Sequence, residues 1–144
     1  MKEEILLNIL WEVQDKKGYL SDEDLMKISK KHQIPVSRLY GIVTFHTMFR
    51  IKKQGKYVLE LCGSPSCLLN KGRDIERFIE KELKIDIGGT TKDGCFSVYK
   101  TSCIGCCDEA PAMLVNGKPY TKLTVNRVKE ILKELKKDAN TKGN

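Results

Sequence analysis

Tyr57-Val58-Leu59-Glu60-Leu61-Cys62-Gly63-Ser64-Pro65-Ser66-Cys67 is where this 144-residue chain changes character. Its first five residues alternate and are rich in strand formers, so they read as a strand. That strand runs into Cys62, and Cys67 follows as the second half of a C-x4-C pair. Downstream, Phe96 to Thr101 reads as another strand. It delivers Ser102-Cys103-Ile104-Gly105-Cys106-Cys107-Asp108-Glu109-Ala110-Pro111, in which Cys103 and Cys107 form C-x3-C. Five of the six cysteines thus lie in two loops at strand ends. Four thiolates arriving as two loop-borne pairs suit a two-iron cluster, whose irons share bridging sulfides and take two cysteine sulfurs each.

Working outward, Leu68 to Leu83 carries Ile75, Phe78, Ile79 and Leu83 on one face of a predicted helix. A helix starting there would aim free N–H groups toward Cys67 and favour an anionic cluster. Gly88-Gly89 and Asp93-Gly94 are turn signals. Ala112 to Val115 and Lys118 to Tyr120 flank Asn116-Gly117, the favoured type I′ hairpin turn. Thr124 should cap a last helix with Val125, Val128, Ile131, Leu132 and Leu135 inward. The order β-α-β-β-β-α over residues 56–136 is an α+β class, a thioredoxin-like α/β sandwich. Residues 137–144, with Lys137 and Lys142, read as a basic flexible tail.

Before the break at Lys52-Lys53-Gln54-Gly55-Lys56, the pattern is helical. Ile5, Leu6, Ile9, Leu10 and Val13 predict a helix over 2–16 that Gly18 ends. Ser21 with Asp24 three residues on suggests a weak capping box for a helix to His32, burying Leu25, Met26 and Ile28. Ile34-Pro35 marks a boundary, and a third helix is expected from Pro35 through Leu39, Ile42, Val43 and Phe45 to about Phe49. Residues 1–50 form an N-terminal three-helix subdomain on this reading. Tyr40, Phe45, Met48 and Phe49 are read as core rather than partner contact.

The bulk numbers narrow the function classes. Forty per cent hydrophobic residues suffice for a core without disulfide staples. No leader pattern opens the chain, and no stretch approaches the roughly 18 apolar residues of a membrane span, so a soluble, cytoplasmic protein is expected. The net charge of +7 comes from Lys and Glu interleaved along helices, as on a solvated surface. There is no G-x-G-x-x-G after a strand, no P-loop and no acid–base dyad, so hydride chemistry is expected on a partner. His32 and His46 stand fourteen apart on separate helices and are read as packing or surface residues rather than a Rieske-type pair. A rival reading makes Ser21 to Phe49 a helix-turn-helix, and the chain an iron–sulfur or zinc DNA-binding regulator. Against it, Pro35 to Met48 offers only Arg38 as a cation, with no Asn or Gln.

The cysteines themselves admit alternatives. Zinc accepts four thiolates but usually from C-x2-C loops. Disulfides suit the expected compartment poorly. Cys103-Ile-Gly-Cys106 has the form of a thiol-exchange motif, though it follows a later strand rather than the first. Cys95 and Cys106 are read as bystanders, with Cys106 able to substitute for a ligand in a damaged cluster. Gly63 and Gly105 would let backbone N–H groups approach sulfur.

At Val43-Thr-Phe-His-Thr-Met-Phe49, Cys62 with Cys67, Thr90-Thr-Lys-Asp-Gly94 and Cys103-Ile-Gly-Cys-Cys107 with Ala110-Pro111, the sequence resembles a known family. It is the small thioredoxin-like [2Fe–2S] subunit of NADH:quinone oxidoreductase (complex I). Relatives occur in NAD-linked and electron-bifurcating hydrogenases and in formate dehydrogenases. The likeness runs from about residue 5 to 136. It implies that Cys62, Cys67, Cys103 and Cys107 hold one [2Fe–2S] cluster. It also implies electron exchange with an FMN- and NADH-binding partner subunit, a further iron–sulfur or hydrogenase-type subunit, and no catalytic hydride site in this chain. His46 stands where the family often has Tyr, and Cys95 and Cys106 where it often has other residues.

Overall fold

The computed structural model describes residues 3–141. They fall into two compact units that divide between Gln54 and Gly55, each with its own core.

In the first unit, α1 (Glu3–Lys17), α2 (Asp22–His32) and α3 (Val36–Phe45) follow one another. Gly18, at φ +84°, ends α1 in a conformation that L side chains avoid. The box at the start of α2 is complete. Asp24 N–H reaches Ser21 Oγ at 3.3 Å, and Ser21 N–H reaches Asp24 Oδ2 at 3.1 Å. Lys17 pairs with the same carboxylate at 2.9 Å. The core is Leu6, Leu10, Leu20, Leu25, Ile28, Ile34, Leu39, Val43 and Phe49. Burying each such side chain stabilises the unit by about 1.5–3 kcal/mol. Three expectations fail here. Met26, expected inside, is 54% exposed. The third helix stops at Phe45 rather than near Phe49, and Phe45 and Met48 point outward, at 80% and 50% exposure.

Hydrogen bonds from Ser21 and Lys17 pull the Asp24 carboxyl down to about 2. A folded-state pKa below the unfolded value near 3.8 means stability that is fully present above pH 4 and lost as pH falls toward 2. Acid titration of the helical signal should therefore show a loss in that window, and Asp24→Asn should remove that part of the pH dependence.

The second unit is a four-stranded sheet in the order β2-β1-β3-β4, from β1 (Tyr57–Cys62), β2 (Phe96–Thr101), β3 (Met113–Val115) and β4 (Lys118–Tyr120). β1 and β2 run parallel, while β3 is antiparallel to both β1 and β4. Asn116 and Gly117 take φ +48° and +81°, as the I′ turn demands. Of the three helices here, α4 (Pro65–Cys67) is a single turn. α5 (Arg73–Leu83) and α6 (Val125–Thr141) supply Ile75, Ile79, Leu83, Val128, Ile131 and Leu132 to a core built on Leu59, Leu61, Phe96, Val98, Met113 and Val115. Ser97 is fully buried yet satisfied by Gly55 N–H and Thr90 Oγ1. The α+β, thioredoxin-like architecture is therefore present.

Three details depart from expectation. Val125 is 38% exposed rather than inward. α6 continues to Thr141, so residues 137–141 are helical where a tail was expected, and 142–144 lie outside the described residues. The helix expected from Leu68 is interrupted. α4 passes into a wide turn at Leu68–Gly72 with Lys71 at φ +67°, and regular helix resumes only at Arg73. Among the described residues, no helix is long and apolar enough to cross a membrane.

Candidate metal centre

Parallel pairing decides where the cysteines go. Cys62 lies opposite Thr101 in the register, so β1 and β2 end together at one edge of the sheet. The loops they release start side by side, tied by Gly63 N–H to the Thr101 carbonyl at 2.9 Å.

The first loop is built around Ser64. It caps α4, with Pro65 at the first helical position where a missing N–H does no harm. Its Oγ accepts from Cys67 N–H at 3.4 Å and lies 3.3 Å from Cys62 Sγ. One hydroxyl therefore serves both cysteines of the pair. Cys62 and Cys67 are buried, with Ala112 as their neighbour and Ile104, Cys106 and Ala110 packed against them. In the second loop, Cys103 and Cys107 are exposed, with sulfurs 3.1 Å apart. Gly105 N–H reaches Cys103 Sγ at 3.4 Å. Ser66 Oγ donates to the Cys107 carbonyl at 3.0 Å and so links the loops directly.

The electrostatics join all four sulfurs. Burial disfavours a Cys62 thiolate, but hydrogen bonds from the Ser64 side chain and backbone, the Ile104 backbone and Cys67 outweigh it and bring the thiol down to about 7. Burial pushes Cys67 up, and the Cys62 neighbour adds to that against hydrogen bonds from Ser64 and the Ala112 backbone. Cys107 is pushed up first by its contact with Cys103, and further by the charges of Cys62 and Cys67. Cys107 thus feels the other three sulfurs, so a cation that binds all four removes that repulsion.

The donor set fits a thiolate-bound metal in pairs. With metal–sulfur bonds of about 2.3 Å, a tetrahedral ion spaces two sulfurs by about 3.8 Å. The exposed Cys103–Cys107 pair meets that by a small splay. Among the described residues, no three His, Cys, Asp or Glu side chains gather round one point.

The structure joins the two cysteine loops and keeps Gly105 as an N–H donor to sulfur, as expected, but not Gly63. Gly63 spends its N–H on Thr101, and the backbone of Ser64, Ile104 and Ala112 turns to sulfur instead. The N-terminus expected at Leu68 is also absent, because Cys67 ends α4 rather than preceding a helix. Ser64 was missed as a cap, although Ser-Pro at a helix start is a sequence signal that could have found it. Ser66 and Gly72 carried no such signal. Cys95 lies in the core of the second unit, away from both loops, and burial pushes its thiol up.

Residues 1–136 match the model of the thioredoxin-like [2Fe-2S] ferredoxins. The chain belongs to that family. Several known proteins are similar to it along most of their length. The NADP-reducing hydrogenase subunit HndA of Solidesulfovibrio fructosivorans is 35% identical over 133 residues, covering 92% of this chain and 78% of the relative. A subunit of the NADH-quinone oxidoreductase of Buchnera aphidicola is 33% identical over 124 residues, covering 86% and 76%. The fold is similar to part of an NAD+-reducing [NiFe]-hydrogenase in its air-oxidised state, at a TM-score of 0.79 and 20% identity, over 90% of this chain. This chain spans 23% of that hydrogenase chain.

Proposed function

We propose that this protein is a one-electron carrier subunit of an NAD(P)H-linked oxidoreductase, holding one [2Fe–2S] cluster on Cys62, Cys67, Cys103 and Cys107. The observation that carries it is that the two cysteine-bearing loops leave the common end of β1 and β2 side by side and are joined by Ser66 Oγ on the Cys107 carbonyl. When bound, such a cluster cycles between two redox states one electron apart. The relatives' names place them in hydrogenase and NADH-quinone oxidoreductase assemblies. The partners we propose are accordingly an FMN- and NADH-binding subunit, whose flavin splits hydride into single electrons, and a further iron–sulfur or hydrogenase-type subunit. The chain's own work is positional. Ser64, Ile104, Gly105 and Ala112 direct hydrogen bonds at the sulfurs, and Ser66 fixes one loop on the other. α3, with Arg38 as its one cation, gives no support to the DNA-binding alternative.

Anaerobically prepared protein should contain iron and acid-labile sulfide in equal amounts. Reduction should give a one-electron paramagnetic resonance signal. The isolated chain should not oxidise NADH until a flavoprotein partner is added. Colourless protein with bound zinc would defeat the proposal.

Ser64→Ala provides a finer check. Its hydroxyl sits between Cys62 sulfur and Cys67 N–H, so it can donate to a thiolate while accepting from the backbone. A donor at sulfur favours the more negative, reduced state. The variant should therefore keep its iron but show a lower reduction potential in a redox titration.

A further inference from the structure

The second loop holds one sulfur more than its pair requires. Cys106 is half-buried and packs, beside Ile104 and Ala110, against the buried group Cys62, Cys67 and Ala112. Cys107 is exposed and touches Cys103. The second-loop cysteine that packs into the buried group of the first pair is thus not the one that the family pattern selects.

The backbone gives this sulfur room to act. Gly105, at φ +82°, separates Cys103 from Cys106 and has nothing within 4 Å of where a Cβ would stand. Cys106 itself lies at φ −105°, ψ 40°, near the sparsely used bridge region, just before the 3₁₀ turn Cys107–Glu109. The loop is tied through backbone carbonyls, which leave the Cys106 side chain free to turn, and Glu109 N–H holds the Cys106 carbonyl itself at 3.1 Å. Gly63 N–H holds the Thr101 carbonyl, and Lys122 N–H holds the Glu109 carbonyl. The bond from Ser66 goes to the carbonyl of Cys107, which any residue at 107 keeps.

We infer that Cys106 is a reserve ligand of the second pair: where the Cys107 thiolate is missing, Cys103 and Cys106 serve together as a C-x2-C pair. This rests on the cluster reading proposed above. C-x2-C is a common spacing in thiolate loops that hold iron–sulfur clusters and zinc. Cys106 would enter as a thiolate, with its proton released to solvent and no change of oxidation state. The first loop has no such reserve, because no third cysteine lies between Cys62 and Arg73.

The test compares full-length wild type with Cys106→Ala, Cys107→Ala and the double variant, all prepared anaerobically. Iron and labile sulfide are measured, the reduced proteins are examined by paramagnetic resonance, and free thiols are mapped by iodoacetamide labelling. Far-ultraviolet circular dichroism checks the fold. Wild type and Cys106→Ala should hold equal iron, with Cys106 labelled in the wild type. Cys107→Ala should retain most of its iron with a shifted resonance signal and a Cys106 now protected from label. The double variant should lose most of its iron. If Cys107→Ala loses iron as fully as the folded double variant, or keeps it with Cys106 still labelled, the reserve role is wrong and the cluster reading stands. If wild type holds no iron, the cluster reading itself fails. If Cys106→Ala alone empties the protein, Cys106 is a primary ligand, and both the reserve role and the four-cysteine assignment fall.

Discussion

Replacing Cys67 by serine is expected to empty the protein of most of its iron while leaving its fold in place. Cys67 is 1% exposed, its N–H is held by Ser64 Oγ, and its sulfur receives the Ala112 N–H. The position is therefore fixed from three sides, and a substituent there cannot be bypassed by moving the loop. Soft thiolates select iron–sulfur clusters, whereas a serine hydroxyl is a hard donor that stays protonated near neutrality. No other sulfur on the first loop can take over. The core under the sheet, built on Leu59, Ile79, Val98 and Val128, does not include Cys67, so circular dichroism should be preserved. Cys95→Ser makes the same atomic exchange at another buried thiol. That variant should keep its iron and lose about 1–3 kcal/mol of stability, the cost of burying a hydroxyl among apolar neighbours. Iron analysis beside chemical denaturation separates the two. Equal iron loss from both variants would overturn the assignment of Cys67 as a ligand.

The contrast between these cysteines was legible because it follows from strand ends. Strand runs read at 57–61 and 96–101 placed Cys62 and Cys103 at the ends of β1 and β2, and β1 and β2 do run parallel and end together. The Asn116-Gly117 turn and the Ser21–Asp24 box were also readable, since each rests on chemistry within four residues. What could not be read depends on contacts between distant segments or on small angular offsets. Met26 lies about 100° round the helix from Leu25 and off the Leu25–Ile28 stripe, so an apolar side chain there faces out. Phe45 is the last residue of α3, where helical periodicity stops determining direction. Val125 occupies the first turn of α6 and is left at its margin. Beside Gly105, which the sequence did suggest, the N–H donors to sulfur come from Ser64, Ile104 and Ala112, and the last two reach across from another loop. Glycine content pointed to Gly63 instead, although its task is to lie against Thr101, 3.3 Å from that carbonyl oxygen by its absent Cβ.

Least visible of all was the wide turn at Leu68–Gly72, because its apolar spacing continues as though the helix were unbroken. Its reason lies in Gly72. A Cβ added there would stand 2.5 Å from the Cys67 carbonyl oxygen and 3.0 Å from the carbonyl carbon. Both atoms are backbone, so no side-chain rotation relieves the clash. The conformation itself is ordinary, φ −57° and ψ −32°, so space and not torsion excludes a side chain. Gly72→Ala must therefore push the Cys67 peptide away from α5, and with it the N–H that Ser64 receives and the sulfur that Ala112 meets. Overpacking of this kind costs about 1–3 kcal/mol, here concentrated on a ligand-bearing peptide. The expected result is a lowered unfolding midpoint together with faster iron loss to an added chelator. Gly41→Ala is the control, since a Cβ there meets nothing within 4 Å and helix propensity favours alanine. Its iron release should equal that of the wild type. If Gly72→Ala also releases iron at the wild-type rate, the turn can widen further without moving Cys67, and the close approach is not what holds that ligand in place.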